Sequence, residues 1–325
     1  MAAFIFAAAG LQAQIFCWNI ENFFDSRDDP ATADEAFTPG GAHHWTRRKM
    51  EAKRNLIAKT IIASSECFGG QMPCLIGLCE VENHAVLNSL LEDTPLAKCR
   101  YRALHRESPD PRGIDVALLW DAARVQLLAH GWITIREFAT REILYAKLAI
   151  GPQAADPDTL HVFVNHWPSK YSGAKASERK REAVAAALQH KIDSVLAAEP
   201  DAAILVMGDF NDTAESASVA GLCSRCSLAN LTAQVAGTIK FKGKWETIDL
   251  LLASPAAAAI IGPAEAFKPD FLLEEDKTFM GCKPRRTNIG PRYRGGASDH
   301  LPIIAKILVP KAADDNKTLY LQQEN

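Results

Sequence analysis

Residues 204–212 read ILVMGDFND: an apolar run leads straight into a glycine, an aspartate, an aromatic residue, an asparagine and a second aspartate. A short continuous apolar run of this kind predicts a strand buried on both faces. Gly208 then lets the backbone turn sharply, with no Cβ in the way of a ligand. Asp209 and Asn211 follow at the strand end, and side-chain oxygens there suit a hard cation such as Mg²⁺. A single Gly-Asp-Asn turn is ordinary loop chemistry. What gives it weight is that four other apolar runs end in the same way.

Working outward, residues 15–20, 74–79, 160–164, 248–252 and 301–309 are further apolar strands. The stretches 101–105, 114–120, 125–135 and 143–150 read as strands joined by short turns, hence hairpins. Helices are predicted from residue 47 to about 64, from a cap at Asn83 through 91, and over 178–198, with a shorter one from 214. The long helix carries Val184, Leu188, Ile192 and Val195 on one face. Strands in both adjacent and helix-separated order imply an α/β (α+β) chain with two packed mixed sheets flanked by helices. No internal repeat and no linker-like shift of composition appears, so residues 14–310 are expected to form one domain, followed by a polar tail at 311–325.

The 325 residues suffice for a full core, and 48% apolar with 23% charged residues is ordinary for a globular chain. A formal charge of −3 excludes a global field drawing the chain to polyanions. Anion binding must then come from local clusters, at 47–54, 175–181, 240–244 and 283–294. The second is expected to be a solvated helix face, whereas the last stands just before Asp299-His300. Of the eight cysteines, Cys223 and Cys226 form a CxxC without the second pair a zinc ribbon needs. Cys17, Cys74 and Cys79 lie in apolar runs and read as buried thiols. The opening MAAFIFAAAGLQAQ resembles the apolar core and cleavage site of a secretory leader over residues 1–13, implying a secreted or periplasmic protein. No other run is long enough to span a bilayer, and no protein partner is evident.

The polar strand ends are Asn19, Glu80, His166, Asp209 with Asn211, and Asp299 with His300. Strands sharing one core can converge on one rim. Several oxygen ligands with two imidazoles in one pocket suit metal-assisted attack on phosphorus. Each residue alone has a plain structural role to hand, as a cap, a turn residue or a solvated strand end. Five such coincidences together are harder to sustain.

CWNIEN (17–22), GLCEVEN (77–83), RGIDVALLW (112–120), VNHWPSK (164–170), MGDFND (207–212), TIDLLLAS (247–254) and ASDHLPI (297–303) occur in this order. Together they resemble the endonuclease/exonuclease/phosphatase superfamily, whose fold is the four-layer sandwich of pancreatic deoxyribonuclease. They look most like secreted bacterial members of unassigned substrate. The resemblance implies Glu80 as principal Mg²⁺ ligand, with Mn²⁺ able to substitute, Asn19 beside it and Asp299 supporting the metal side. It implies that Asp209 orients or activates water, and that Asn211 binds phosphate or metal. His300, held by Asp249, would contact the scissile phosphate. His166 would be a general acid or a donor to phosphoryl oxygens, with Glu82 as its candidate carboxylate partner. Arg112 is a candidate phosphate contact.

The calcineurin-like metallophosphoesterases also use a GD motif, but the chain lacks their DxH and GNH signatures. A degenerate member that binds a phosphorylated ligand without cleaving it is disfavoured, because every motif position keeps a group able to do its chemistry. Nucleic acid is the favoured substrate, through the basic residues Arg285, Arg286, Arg292 and Arg294. The alternative is a phospholipid or inositol phosphate. A lipid-cleaving enzyme is expected to show an exposed apolar hairpin, and the sequence offers no clear one.

Overall fold

In the computed structural model, residues 13–151, 158–170 and 173–307 are described. The first long strand, β1 (Ala13–Phe23), shows how the layers arise. Ile15 and Cys17 face the space between two sheets, while Phe16, Trp18 and Ile20 face a layer of helices. Both faces are buried, so the run is continuously apolar rather than alternating.

The first sheet has six strands. Glu265–Ala266, Ile303–Ile307, β1, β2 (Leu75–Val81), β4 (Asp115–Asp121) and β3 (Tyr101–His105) lie side by side in that order. The second sheet, also of six, runs β5 (Val125–Ile133), β6 (Ile143–Ile150), β7 (Asp158–His166), β8 (Ile204–Asp209), Asp249–Ala253 and Ala229–Asn230. Leu205, Met207 and Leu251 of the second sheet meet Ile15, Cys17 and Leu118 of the first. Outside the first sheet lie α1 (Arg47–Ser64) and α2 (His84–Glu92); outside the second lie α3 (Ala174–Ala198) and α4 (Ala217–Cys226). The result is the expected four-layer α/β sandwich.

The helices start where side chains can cap them. Thr46 accepts from the Lys49 amide, Asn83 from Val86, and Ser216 from Val219. Each such cap is typically worth about 1 kcal/mol. The expected apolar stripe of α3 is buried against the second sheet. Cys17, Cys74 and Cys79 are buried thiols, as expected.

Two parallel pairs set up the functional end. β1 pairs with β2, and β7 with β8; the other pairings are antiparallel. The crossovers α1 and α3 return each chain so that both pairs end on one rim. Carboxyl ends of parallel strands are where open α/β sheets bind ligands.

Three expectations need adjustment. The last strand is shorter than 301–309, because Leu301 and Pro302 belong to the loop before it. The basic run at 175–181 is not simply a solvated face: Arg181 is buried, with its Nε 2.9 Å from Asp212 Oδ2. The leader expected over 1–13 lies outside the described residues except for Ala13, which pairs with Ile307. The tail expected over 311–325 also lies outside them.

Candidate active site

Strand register delivers the polar groups. His166 and Asp209 are direct neighbours at the ends of β7 and β8, and Asp249 stands opposite Asp209 on the next strand. On the other sheet, Asn19 pairs with Cys79, and a register shift follows that frees Glu80 from the ladder. Glu80 has φ +66°, and Asn211 has φ +50°. Left-handed backbone at non-glycine residues is costly and clusters at functional sites. Gly208 has φ +136°, and a Cβ there would lie 1.9 Å from the Asn165 carbonyl oxygen, so no other residue fits.

Asn19 ties the two sheets together. Its Nδ2 donates to Glu80 Oε1 at 3.1 Å and to Asp209 Oδ2 at 2.9 Å. The loop before the last strand is fastened to the same strand end. Ser298 Oγ donates to the Asn19 carbonyl at 2.6 Å, and Trp18 Nε1 to the His300 carbonyl at 2.9 Å. His300 thereby faces the site, with Nδ1 2.7 Å from Asp249 Oδ2 and Nε2 3.8 Å from Asp209 Oδ2. His166 Nε2 lies 3.6 Å from Asp209 Oδ2 and 3.8 Å from Glu80 Oε1. Asn211 donates its amide to the Trp167 carbonyl at 2.9 Å, and its backbone N–H to Asp209 Oδ1 at 2.7 Å.

The surroundings push the proton affinities of the two imidazoles in opposite directions. Burial alone would lower the His300 pKa, but Asp249, Asp209 and Asp299 outweigh it and raise it well above the usual value. These carboxylates therefore favour the charged form of His300. Burial drives the His166 pKa well below its usual value, and Arg141, Arg112 and His300 add to the effect. Burial thus favours its neutral form, and the two carboxylates near Nε2 favour the proton on that nitrogen. Burial pushes Asp209 up to about 7, with His300 opposing and Asp249 adding to the rise.

The donor set fits a hard divalent cation. Glu80 Oε1 and Asp209 Oδ2 converge on the Asn19 amide nitrogen, which occupies the place between two carboxylates that positive charge would favour. Its oxygen accepts from the Glu21 backbone N–H at 2.9 Å, which fixes the amide's orientation. One or two carboxylates with an amide and water is the ligand set Mg²⁺ takes. Asp209, Asp249 and His300 also bring ligand atoms within 4.8 Å of one another. There, however, Asp249 Oδ2 is already engaged by His300, so Glu80 is the better anchor. Asp299 binds Arg286, 3.0 Å from its Oδ2, while its Oδ1 lies 3.9 Å from His300 Nε2.

Residues 14–308 match the family model described as Endonuclease/Exonuclease/phosphatase family. The chain belongs to this family. Its members are phosphoric-ester hydrolases. Comparison with curated proteins gave no match. Among solved structures, the chain is similar to a mannosyl-6-phosphatase from Bacteroides thetaiotaomicron, at 13% identity and TM-score 0.58, covering 91% of this chain and 100% of that one. It is similar to the human Nocturnin catalytic domain with bound sulfate at 16% identity and TM-score 0.56, covering 91% and 93%. TDP2 from Caenorhabditis elegans aligns at 15% identity and TM-score 0.56, covering 92% and 75%. At these identities the likeness shows a shared fold.

Within this family frame, two supporting networks had no motif to announce them. Lys53 is fully buried and donates to Thr287 Oγ1 at 2.5 Å and to the Ala297 carbonyl at 2.6 Å, bracing the loop that carries His300. Glu21 accepts from the Thr287 amide at 2.7 Å and from Arg286 Nε at 3.2 Å. On the opposite flank, buried Arg141 bridges Asp110 Oδ2 at 2.7 Å and the Trp167 carbonyl at 2.8 Å. Arg112 leans on Asp110, at 3.7 Å, with its side chain half exposed.

Other expectations are revised. Glu82 does not partner His166; it accepts from the Asp25 amide instead. His166 Nδ1 has no partner among the described residues. In the basic cluster, Arg286 and Arg294 are occupied by carboxylates, leaving Arg285 and Arg292 exposed. An exposed apolar hairpin is present after all. Phe241, Phe279 and Met280 are 57%, 51% and 82% exposed, and Phe279 packs against the turn at Gly243.

Proposed function

We propose that the protein is a divalent-cation-dependent phosphodiesterase, acting on a nucleic-acid strand. The observation that carries the chemistry is the convergence of Glu80, Asp209, His166 and His300 on one rim. A cation held by Glu80, with Asn19 beside it, would neutralise phosphoryl charge and polarise the phosphorus. Asp209 takes the proton of the attacking water, or orients it, from the floor of the site. The His300 imidazolium, held by Asp249, donates to a phosphoryl oxygen as negative charge builds. Neutral His166 donates from Nε2 to a phosphoryl oxygen rather than protonating the leaving group, since burial holds its proton affinity low. Asn211, fixed on the Trp167 carbonyl, is placed to contact the phosphate.

Support for an extended polyanion comes from the flanks. Half-exposed Arg112 lies beside the His166 side, and exposed Arg285 and Arg292 lie on the segment leading to His300. A strand crossing the site would meet cations at both ends. Turnover of single-stranded DNA, RNA and a lipid phosphodiester, each with and without Mg²⁺, tests the reading. Cleavage of a nucleic acid at a rate at least tenfold above the lipid is expected.

A second reading is a lipid phosphodiesterase, favoured by the exposed Phe241, Phe279 and Met280 beside Lys242 and Lys244. Such a surface suits an anionic bilayer. Vesicle co-sedimentation that fails with Phe241→Ser and Met280→Ser, together with lipid turnover, would select it. The leader-like residues 1–13 support an exported enzyme; N-terminal sequencing from the native host should find a chain starting at or near Gln14.

A further inference from the structure

We propose that the cavity flanked by residues 110–112, 138–141 and the start of α3 is a subsite for a second phosphate of the substrate, one that is not cleaved. The proposal rests on the phosphodiesterase reading and names a feature its substrate must have. The cavity measures about 450 Å³ and is lined by Arg112, Phe138, Thr140, Arg141, Ser169 and Lys180 among others. That size falls within the range of small-ligand sites.

Its chemistry points to an anion. Three cations line it against one carboxylate, Asp110, and that carboxylate is already paired with Arg141. Arg141 has a side chain only 6% exposed. Two of its nitrogens are bound, to Asp110 and Trp167, yet its Nε–H is buried and has no acceptor among the described residues. A buried donor without an acceptor is costly, and it leaves the Arg141 guanidinium short of one partner beside the cavity that the residue lines. Lys180 stands over the Phe138 ring, 5.3 Å from its centroid, which holds the ammonium at the cavity wall.

Geometry also ties the cavity to the reacting centre. The Trp167 carbonyl accepts from both Arg141 and Asn211, so one backbone atom holds the subsite cation and the residue placed at the scissile phosphate. The next two residues, Pro168 and Ser169, line the cavity. A substrate with its scissile phosphate at His166 would set a neighbouring phosphate against Arg141 and Lys180.

The test compares Lys180→Ala with wild type on substrates with and without a second phosphate. Bis(4-nitrophenyl) phosphate and an unphosphorylated dinucleotide carry only the scissile group. Dinucleotides phosphorylated at the 5′ or the 3′ end carry a second. Glycerophosphoinositol 4-phosphate against glycerophosphoinositol, both phosphodiesters, repeats the comparison for a polyol source. The expected result is a KM about tenfold higher in the variant for a substrate with two phosphates, with kcat unchanged and no effect on single-phosphate substrates. The series that shows it identifies the source. Arg141→Lys, which keeps a cation for Asp110 but lacks the planar fork, should raise KM on the same substrates. Equal effects on single- and double-phosphate substrates, or none, would overturn the proposal. If wild type turns over none of them, the phosphodiesterase reading is at fault. The subsite is then tested by titrating inorganic pyrophosphate calorimetrically without added divalent cation. Binding about tenfold weaker in Lys180→Ala sustains it, and unchanged or absent binding overturns it.

Discussion

His300 Nδ1 lies 2.7 Å from Asp249 Oδ2, across 51 residues of chain and between the two sheets. The contact favours the imidazolium form of His300, since Asp249, Asp209 and Asp299 outweigh burial and raise its pKa. Activity that needs this cation is present below the raised folded pKa and is lost only as pH climbs through it. On the acid side, activity should fall as pH drops through about 7, where the buried Asp209 takes up a proton. Asp249→Asn can still hold the ring but no longer favours its charge. The pH–rate profile of that variant should therefore show its alkaline limb moved down toward the ordinary histidine range, about 6.5. His300→Ala should lose about 10²- to 10⁴-fold in kcat. An alkaline limb unmoved in Asp249→Asn would mean that the pair has no catalytic part.

His166 is expected to behave as a neutral donor. His166→Ala should lose turnover by a similar factor, about 10²-fold or more, on a nitrophenyl phosphodiester and on a natural one. Its thermal midpoint should stay near wild type, because Nδ1 has no partner to lose among the described residues. A markedly smaller loss on the nitrophenyl substrate would reassign His166 as the acid for the leaving oxygen.

Gly208→Ala tests the backbone that delivers Asp209. A methyl group would collide with the Asn165 carbonyl, in a backbone conformation only glycine adopts readily. Loss of soluble protein, or destabilisation of more than about 3 kcal/mol in urea unfolding, is expected. Wild-type stability would show that the β7–β8 contact is looser than described.

Lys53→Met should leave Thr287 and the Ala297 carbonyl short of a buried donor, at about 1–3 kcal/mol for each lost partner. Because the same loop carries His300, turnover should fall together with stability. Urea unfolding and kcat measured on the same preparations check both effects.

Much of the scaffold is legible in the sequence because the central strands are buried on both faces. Runs such as 204–207 and 74–79 are then apolar throughout and stop at the rim where polar groups begin. Strands of two or three residues, such as Ile239–Phe241 and Lys244–Glu246, carry no period to read, and the exposed Phe241 between two lysines looked like a basic run. Partner choice was equally hidden. Glu82 lies near Glu80 in sequence, yet cross-strand register gives His166 to Asp209 instead. Lys53 read as part of the basic cluster at 47–54 and Arg141 as a lone loop charge, since a charge reads as solvated until its burial is known.

The central claim is that phosphodiester hydrolysis runs through a cation anchored at Glu80. The most direct measurement is turnover of bis(4-nitrophenyl) phosphate against Mg²⁺ concentration, in wild type and Glu80→Gln, with folding checked by circular dichroism. Turnover should vanish in excess chelator and return with Mg²⁺ or Mn²⁺. Glu80→Gln, still folded, should need at least about tenfold more cation, because it loses the ligand charge that binds a hard ion. Full hydrolysis in excess chelator, or an identical Mg²⁺ dependence in the two proteins, would contradict the account.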